Sequence, residues 1–176
     1  MDISQLVVTG DTATKELYRE VKGEKFYKFN ITLPRCNIMA VVSEFLLKEI
    51  TGKMRISGYL RSDTIKSPKE HLCTYFHVTD MVEADADEEG TDVVAISGKL
   101  AKRGKLTTLN NGRQILPIVL KRVTDDGHTS ILHAILNGKD ARYINSVEDV
   151  NTTYIDTFGS IQSKYGAIEV NIGSLE

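Results

Sequence analysis

The stretch RISGYLRS, residues 55–62, reads as a strand with a glycine at its middle, and it has a counterpart in DTFGSIQS at residues 156–163. Strand alternation puts Met54, Ile56, Gly58 and Leu60 on one face and Arg55, Ser57, Tyr59 and Arg61 on the other. A glycine inside a strand marks a bulge or a tight bend, because the missing Cβ permits strong coiling. A second pair repeats the pattern: VVTGDTA (7–13) lies over AISGKLA (95–101), so that Gly10 matches Gly98 as Gly58 matches Gly159. The chain therefore reads as two copies of one sharply coiled β unit.

Five strand-like segments fall in each half. QLVVTG, KFYKFNITLP, NIMAVVS, KMRISGYLRS and CTYFHVTDMV come first, then DVVAISGKLA, RQILPIVLKRV, TSILHAILN, TTYIDTFGSIQS and AIEVNIGSL. All are short, rich in β-branched and aromatic residues, and bounded by turn residues. Two segments have helical patterning, SEFLLKEITG and NGKDARYINSVEDV, each between the third and fourth strands of its half. For the first, Ser43 suits the N-cap and Gly52 the stop. The order β-β-β-α-β-β is that of the OB-fold, a five-stranded Greek-key barrel whose exposed face and loops bind oligonucleotides. The expected architecture is all-β with one short helix per domain: two tandem five-stranded OB-fold barrels over 1–82 and 92–176, joined by an acidic linker at 83–91.

The 176 residues carry a formal charge of −2, which taken whole argues against a nucleic-acid binder. The distribution says otherwise. Residues 81–92 hold six Asp and Glu and no Lys or Arg, which leaves each half at +2. Two cysteines are too few for a disulfide framework, the N-terminus lacks the pattern of a signal peptide, and no apolar run has membrane-spanning length, so a reducing cytoplasm is expected.

Cations and aromatics share the outer faces. Single-strand binders need both, cations to follow phosphates and aromatic rings to stack bases regardless of sequence. In GEKFYKFNITLPR (23–35), the row Lys25, Tyr27, Phe29, Ile31 and Leu33 is mostly apolar and reads as the inner one, with Tyr27 suited to either side, leaving Phe26 and Lys28 outside with Arg35 at the strand end. On the fourth strand Arg55, Tyr59 and Arg61 face out. In the second half Lys102, Arg103, Lys105 and Arg113 surround a hairpin with an NNG turn, and Tyr154 and Phe158 share an outer row. The competing reading for each group is an ordinary solvated surface.

The run GEKFYKFNITLPR, then SEFLLKEITGKMRISGYLRSD, then the acidic connector and DVVAISGKLAKRGKL, resembles the two-OB-fold single-stranded DNA-binding proteins of Gram-positive bacteria, especially clostridia, and of their phages. The resemblance implies sequence-tolerant binding of single-stranded DNA in replication, recombination or repair. It also implies replication or recombination proteins as further partners, and leaves homo-oligomerisation open. One departure is that the chain closes on EVNIGSLE, which reads as a final strand instead of the disordered acidic tail common in bacterial members.

His71, Cys73 and His77 alternate on one strand, and with Cys36 they supply metal-binding residue types. Consecutive ligands on one strand make poor tetrahedra, so no metal or other cofactor is expected. His128 and His133 belong to no catalytic motif, and carboxylates cluster only in the connector, so no enzyme activity is expected. The alternative function is an OB-fold adaptor that holds another protein, a reading that gains if the outer aromatics are covered. The connector is a spacer, a competitor for the basic cleft, or a segment that engages a partner.

Overall fold

The computed structural model describes residues 3–164 and 167–173. Its first half contains β1 (Ser4–Asp11), β2 (Glu16–Val21), β3 (Glu24–Thr32), β4 (Asn37–Ser43), β5 (Thr51–Ile65) and β6 (His71–Glu83). The second contains β7 (Val93–Arg103), β8 (Thr107–Thr108), β9 (Gln114–Val123), β10 (Thr129–Asn137), helix α1 (Gly138–Ser146), β11 (Tyr154–Lys164) and β12 (Ala167–Ile172). Each half closes on itself. The first ring runs β1-β5-β6-β4-β3 and back to β1, the second β7-β11-β12-β10-β9 and back to β7. The third and fifth strands of each ring pair in parallel, β4 with β6 and β10 with β12, and every other pair is antiparallel. Two OB-type barrels in tandem are therefore present.

Alternation fills each barrel. Leu6, Ile31, Met54, Ile56 and Phe76 are fully enclosed in the first, and Ile96, Leu116 and Leu120 in the second. Each such side chain stabilises the fold by about 1.5–3 kcal/mol relative to exposure. The repeated glycines sit where strands approach too closely for a side chain. A Cβ on Gly58 would lie 1.9 Å from the His77 carbonyl oxygen, and one on Gly159 would lie 2.5 Å from Val170 Cγ1. Ladder register shifts between Ser57 and Gly58, as a bulge there requires.

Two sequence expectations change. SEFLLKEITG is not a helix: Ser43 ends β4, and the amides of Leu46 and Leu47 both donate to its carbonyl at 3.0 Å in a single turn. Phe45, 76 % exposed, finds no apolar surface there, while Ile50 is pulled into the barrel end by a hydrogen bond from its amide to Thr12 Oγ1 (3.0 Å). With one turn available, helix nucleation is never repaid by propagation. α1 does form in the second half and buries Ala141 and Ile144. The second change is β2, absent from the sequence reading, which extends β3 through a two-residue turn at Lys22 and Gly23 (φ 51° and 82°). The final expected strand, AIEVNIGSL, is present over Ala167–Ile172; its Ser174 and Leu175 lie outside the described residues.

The barrels meet directly. Ser62 on β5 receives and returns hydrogen bonds at the start of β10, its amide donating to Ser130 Oγ (3.1 Å) and its hydroxyl accepting from the Ile131 amide (2.7 Å). On the opposite flank the Ala95 amide donates to Ser4 Oγ (2.7 Å).

Candidate nucleic-acid interface

The first and fourth strands of the second barrel, β7 and β11, carry an open polar patch. Cross-strand register sets Tyr154 opposite Lys99, and Lys99 opposite Lys121 on β9. Directly opposed residues share a face, so one aromatic ring and two ammonium groups form a row across three strands. Phe158 stands four residues further along the same face, opposite Ala95, with Asp156 between. Tyr154 and Phe158 are each 66 % exposed. A shallow concavity lined by Ser97, Lys99, Lys121 and Tyr154 adjoins them. Lys99 and Lys121 are functional candidates that the sequence reading missed; each is exposed next to a fully buried neighbour, Leu100 and Leu120.

The corresponding surface of the first barrel is largely covered. Tyr59 and Arg61 face outward from β5 as alternation requires, yet they are only 8 % and 6 % exposed because the β9–β10 loop and the start of β10 lie over them. Arg122 places its guanidinium 5.6 Å from the Tyr59 ring centroid, and Arg61 reaches Asp126 at 3.4 Å. Around them Asp63 is a hub: it accepts from the Tyr18 hydroxyl at 2.7 Å, pairs with Arg19 at 3.4 Å and faces His128 Nε2 at 3.1 Å. Burial, with the bond to Asp63 in support, pushes the Tyr18 hydroxyl far above its ordinary range. Phe26, half-buried, lies 6.2 Å from the His77 ring, which is itself 5.1 Å from Tyr59. Burial and the nearby Arg61 and Arg19 lower the His77 pKa to about 4.

The connector does not hang free. Arg55 contacts both carboxylate oxygens of Glu88 at 2.7 Å, and the Lys53 ammonium donates to the Glu88 main-chain carbonyl. The Thr91 amide donates to Val7 O (2.9 Å) while the Val7 amide donates to Thr91 Oγ1 (2.8 Å), which lays the segment along β1. Arg35, expected at a binding face, is 3.7 Å from Asp92. The connector thus covers in the first barrel the first- and fourth-strand patch that the second barrel leaves open.

The expected basic hairpin is present as β8 against β9, with Lys102, Lys105 and Arg113 exposed around it. Arg103 points elsewhere, donating to Ile144 O (2.7 Å) and Val147 O (2.6 Å) at the C-terminal end of α1. Lys28 lies 3.9 Å from Glu16 on neighbouring β2. The twelve expected residues therefore fall into separate groups, at the seam, under the connector, at the helix end, around the hairpin and on the open patch, with Lys28 apart from all of these beside β2. Among the described residues no group of three or more His, Cys, Asp or Glu is arranged to hold a metal ion, and no helix is long and apolar enough to cross a membrane.

No protein-family model and no curated protein matches the chain. Solved structures do. A deletion and R190A variant of the single-stranded DNA-binding protein from Thermus aquaticus matches with a TM-score of 0.76 at 13 % identity, over 100 % of this chain and 93 % of that one. The wild-type Thermus protein matches with a TM-score of 0.74 at 12 % identity, over 100 % and 92 %. At such identities the likeness establishes a shared fold, both barrels included.

Proposed function

We propose that the chain binds single-stranded DNA through its open β7–β11 patch, without catalysis. The observation that carries this is the row Tyr154–Lys99–Lys121 with Phe158 beside it: two bare rings on a rigid sheet, flanked by ammonium groups. Rings spaced along one strand face stack successive bases for about 1–3 kcal/mol each, and lysines beside them neutralise the connecting phosphates. The shared fold with a protein named for single-stranded DNA binding supports the same reading. The exposed Lys102, Lys105 and Arg113 extend the cationic path along the hairpin.

The setting is replication, recombination or repair in the cytoplasm of a bacterium, of the Gram-positive type its sequence resembles, or in a phage-infected cell. Residues 83–91 then join two binding modules at 1–82 and 92–176. Burial of Tyr59 favours the adaptor reading, in which the barrels hold a protein instead; the bare Tyr154 and Phe158 outweigh it. Anisotropy titrations with labelled oligo-dT and a duplex of the same length decide between them. Salt-sensitive binding of the single strand, much tighter than of the duplex, is expected; no binding to either refutes the proposal.

A further inference from the structure

The face of β11 that carries the two bare rings also carries a carboxylate. Tyr154, Asp156 and Phe158 alternate along the strand and so share one side of the sheet, with Asp156 exposed between the rings. Register puts Ser97 opposite Asp156 and Lys99 opposite Tyr154, which makes Lys99 a diagonal neighbour of the carboxylate. Even so, among the described residues no hydrogen bond or ion pair engages it. An unpaired negative charge in the middle of a surface that receives a polyanion needs a partner, and the patch itself supplies none.

Charge decides which part of a DNA strand meets it. A phosphate over Asp156 would face a like charge, whereas Lys99 and Lys121 lie to one side on β7 and β9 and attract it. The phosphates therefore follow the lysines, and the bases turn over β11, where the rings stack them. A strand that reaches from Tyr154 to Phe158 brings a base edge over Asp156.

Hydrogen-bond type then decides which base. A carboxylate accepts and does not donate. Guanine presents its N1–H and 2-amino groups side by side, two donors for two carboxylate oxygens. Cytosine and adenine offer one amino group beside a ring acceptor. Thymine offers one N3–H between two carbonyl oxygens, both of which repel the carboxylate. We propose that Asp156 reads one base of the bound strand and favours guanine over thymine there. This rests on the single-stranded DNA reading and adds a base preference at one position of an otherwise sequence-tolerant surface.

The test compares two alternating oligomers of equal length, deoxythymidine–deoxyguanosine and deoxythymidine–deoxyinosine, by anisotropy titration. Inosine's base keeps the guanine ring and lacks only the 2-amino group, so the ratio of affinities isolates that donor. The wild type is expected to favour the guanine oligomer about fivefold, the low end for a two-bond base contact, because the site is open to water. Asp156→Asn keeps the shape of the side chain but sets an amide N–H against the 2-amino group, and the ratio should fall to about one or below. Asp125→Asn removes the same charge from an exposed position lining the same concavity, and should leave the ratio at its wild-type value. A ratio taken within one protein does not depend on how much of that protein is folded. If the wild type binds both oligomers equally, if Asp156→Asn leaves the ratio unaltered, or if Asp125→Asn lowers it as much, the base-reading proposal is overturned and the binding reading stands. If the wild type binds no single strand, both fall.

Discussion

Arg55 and Glu88, thirty-three residues apart, meet with one guanidinium nitrogen 2.7 Å from each carboxylate oxygen. That contact holds Glu88 in its ionised form, the hydrogen bond from Arg55 being the main cause. A carboxylate resting on Arg55, with the Lys53 ammonium on the main-chain carbonyl of the same residue, occupies the place of a phosphate at the patch which is open in the sister barrel. Glu88→Gln should therefore tighten oligo-dT binding severalfold at low salt. Glu89→Gln, removing the same charge from an exposed position, should change it less. With a screening length of about 8 Å at physiological ionic strength, both effects should shrink there. Equal affinities for the two variants at low salt would leave the connector a spacer.

Stacking and charge separate on the second barrel. Tyr154→Ala and Phe158→Ala are each expected to weaken binding by about 1–3 kcal/mol with the salt slope unchanged. Lys99→Ala with Lys121→Ala should flatten the slope by about 0.7 per lost phosphate contact. Titration at several salt concentrations measures both quantities.

Arg103 and Lys105, two residues apart in one basic loop, should behave differently. Arg103→Ala removes two charge-assisted bonds from the end of α1 and should destabilise the fold by about 1.5–3 kcal/mol, read by denaturant midpoint. Lys105→Ala should leave stability alone and reduce only the salt slope.

His77 makes stability depend on pH. Its pKa is about 4 when folded and 6.5 ordinarily, so between those values the unfolded chain binds more protons. Stability should therefore be full above about pH 6.5, decline as pH falls, and stop declining near pH 4, by at most about 3 kcal/mol. His77→Gln should abolish that part of the decline in urea titrations across the window.

The barrels were legible because their evidence is local: alternation, turn residues and paired glycines all sit within a few positions of one another. β2 escaped because ELYREV is polar and a register shift between Leu17 and Arg19 breaks its alternation, though the Lys22–Gly23 turn marked it. The sequence shows that Tyr59 and Arg61 face outward but not that a second barrel covers them, since that depends on Ser62 meeting Ser130 across 68 positions. The row Tyr154–Lys99–Lys121 was hidden for the same reason, as three strands must find register before the residues become neighbours.

The seam has a further consequence. It joins the fourth strand of one barrel to the third of the next, a head-to-tail contact that no symmetry axis closes, and identical units joined this way would add indefinitely. β11 is the surface on which a third barrel would dock. Where β5 offers Tyr59 and Arg61, the aligned positions of β11 hold Ser160 and Gln162, with neither the ring that Arg122 covers nor the guanidinium that Asp126 receives. The second barrel thus lacks on β11 the pair of side chains through which β5 is covered, and its strand face is left bare at Tyr154 and Phe158.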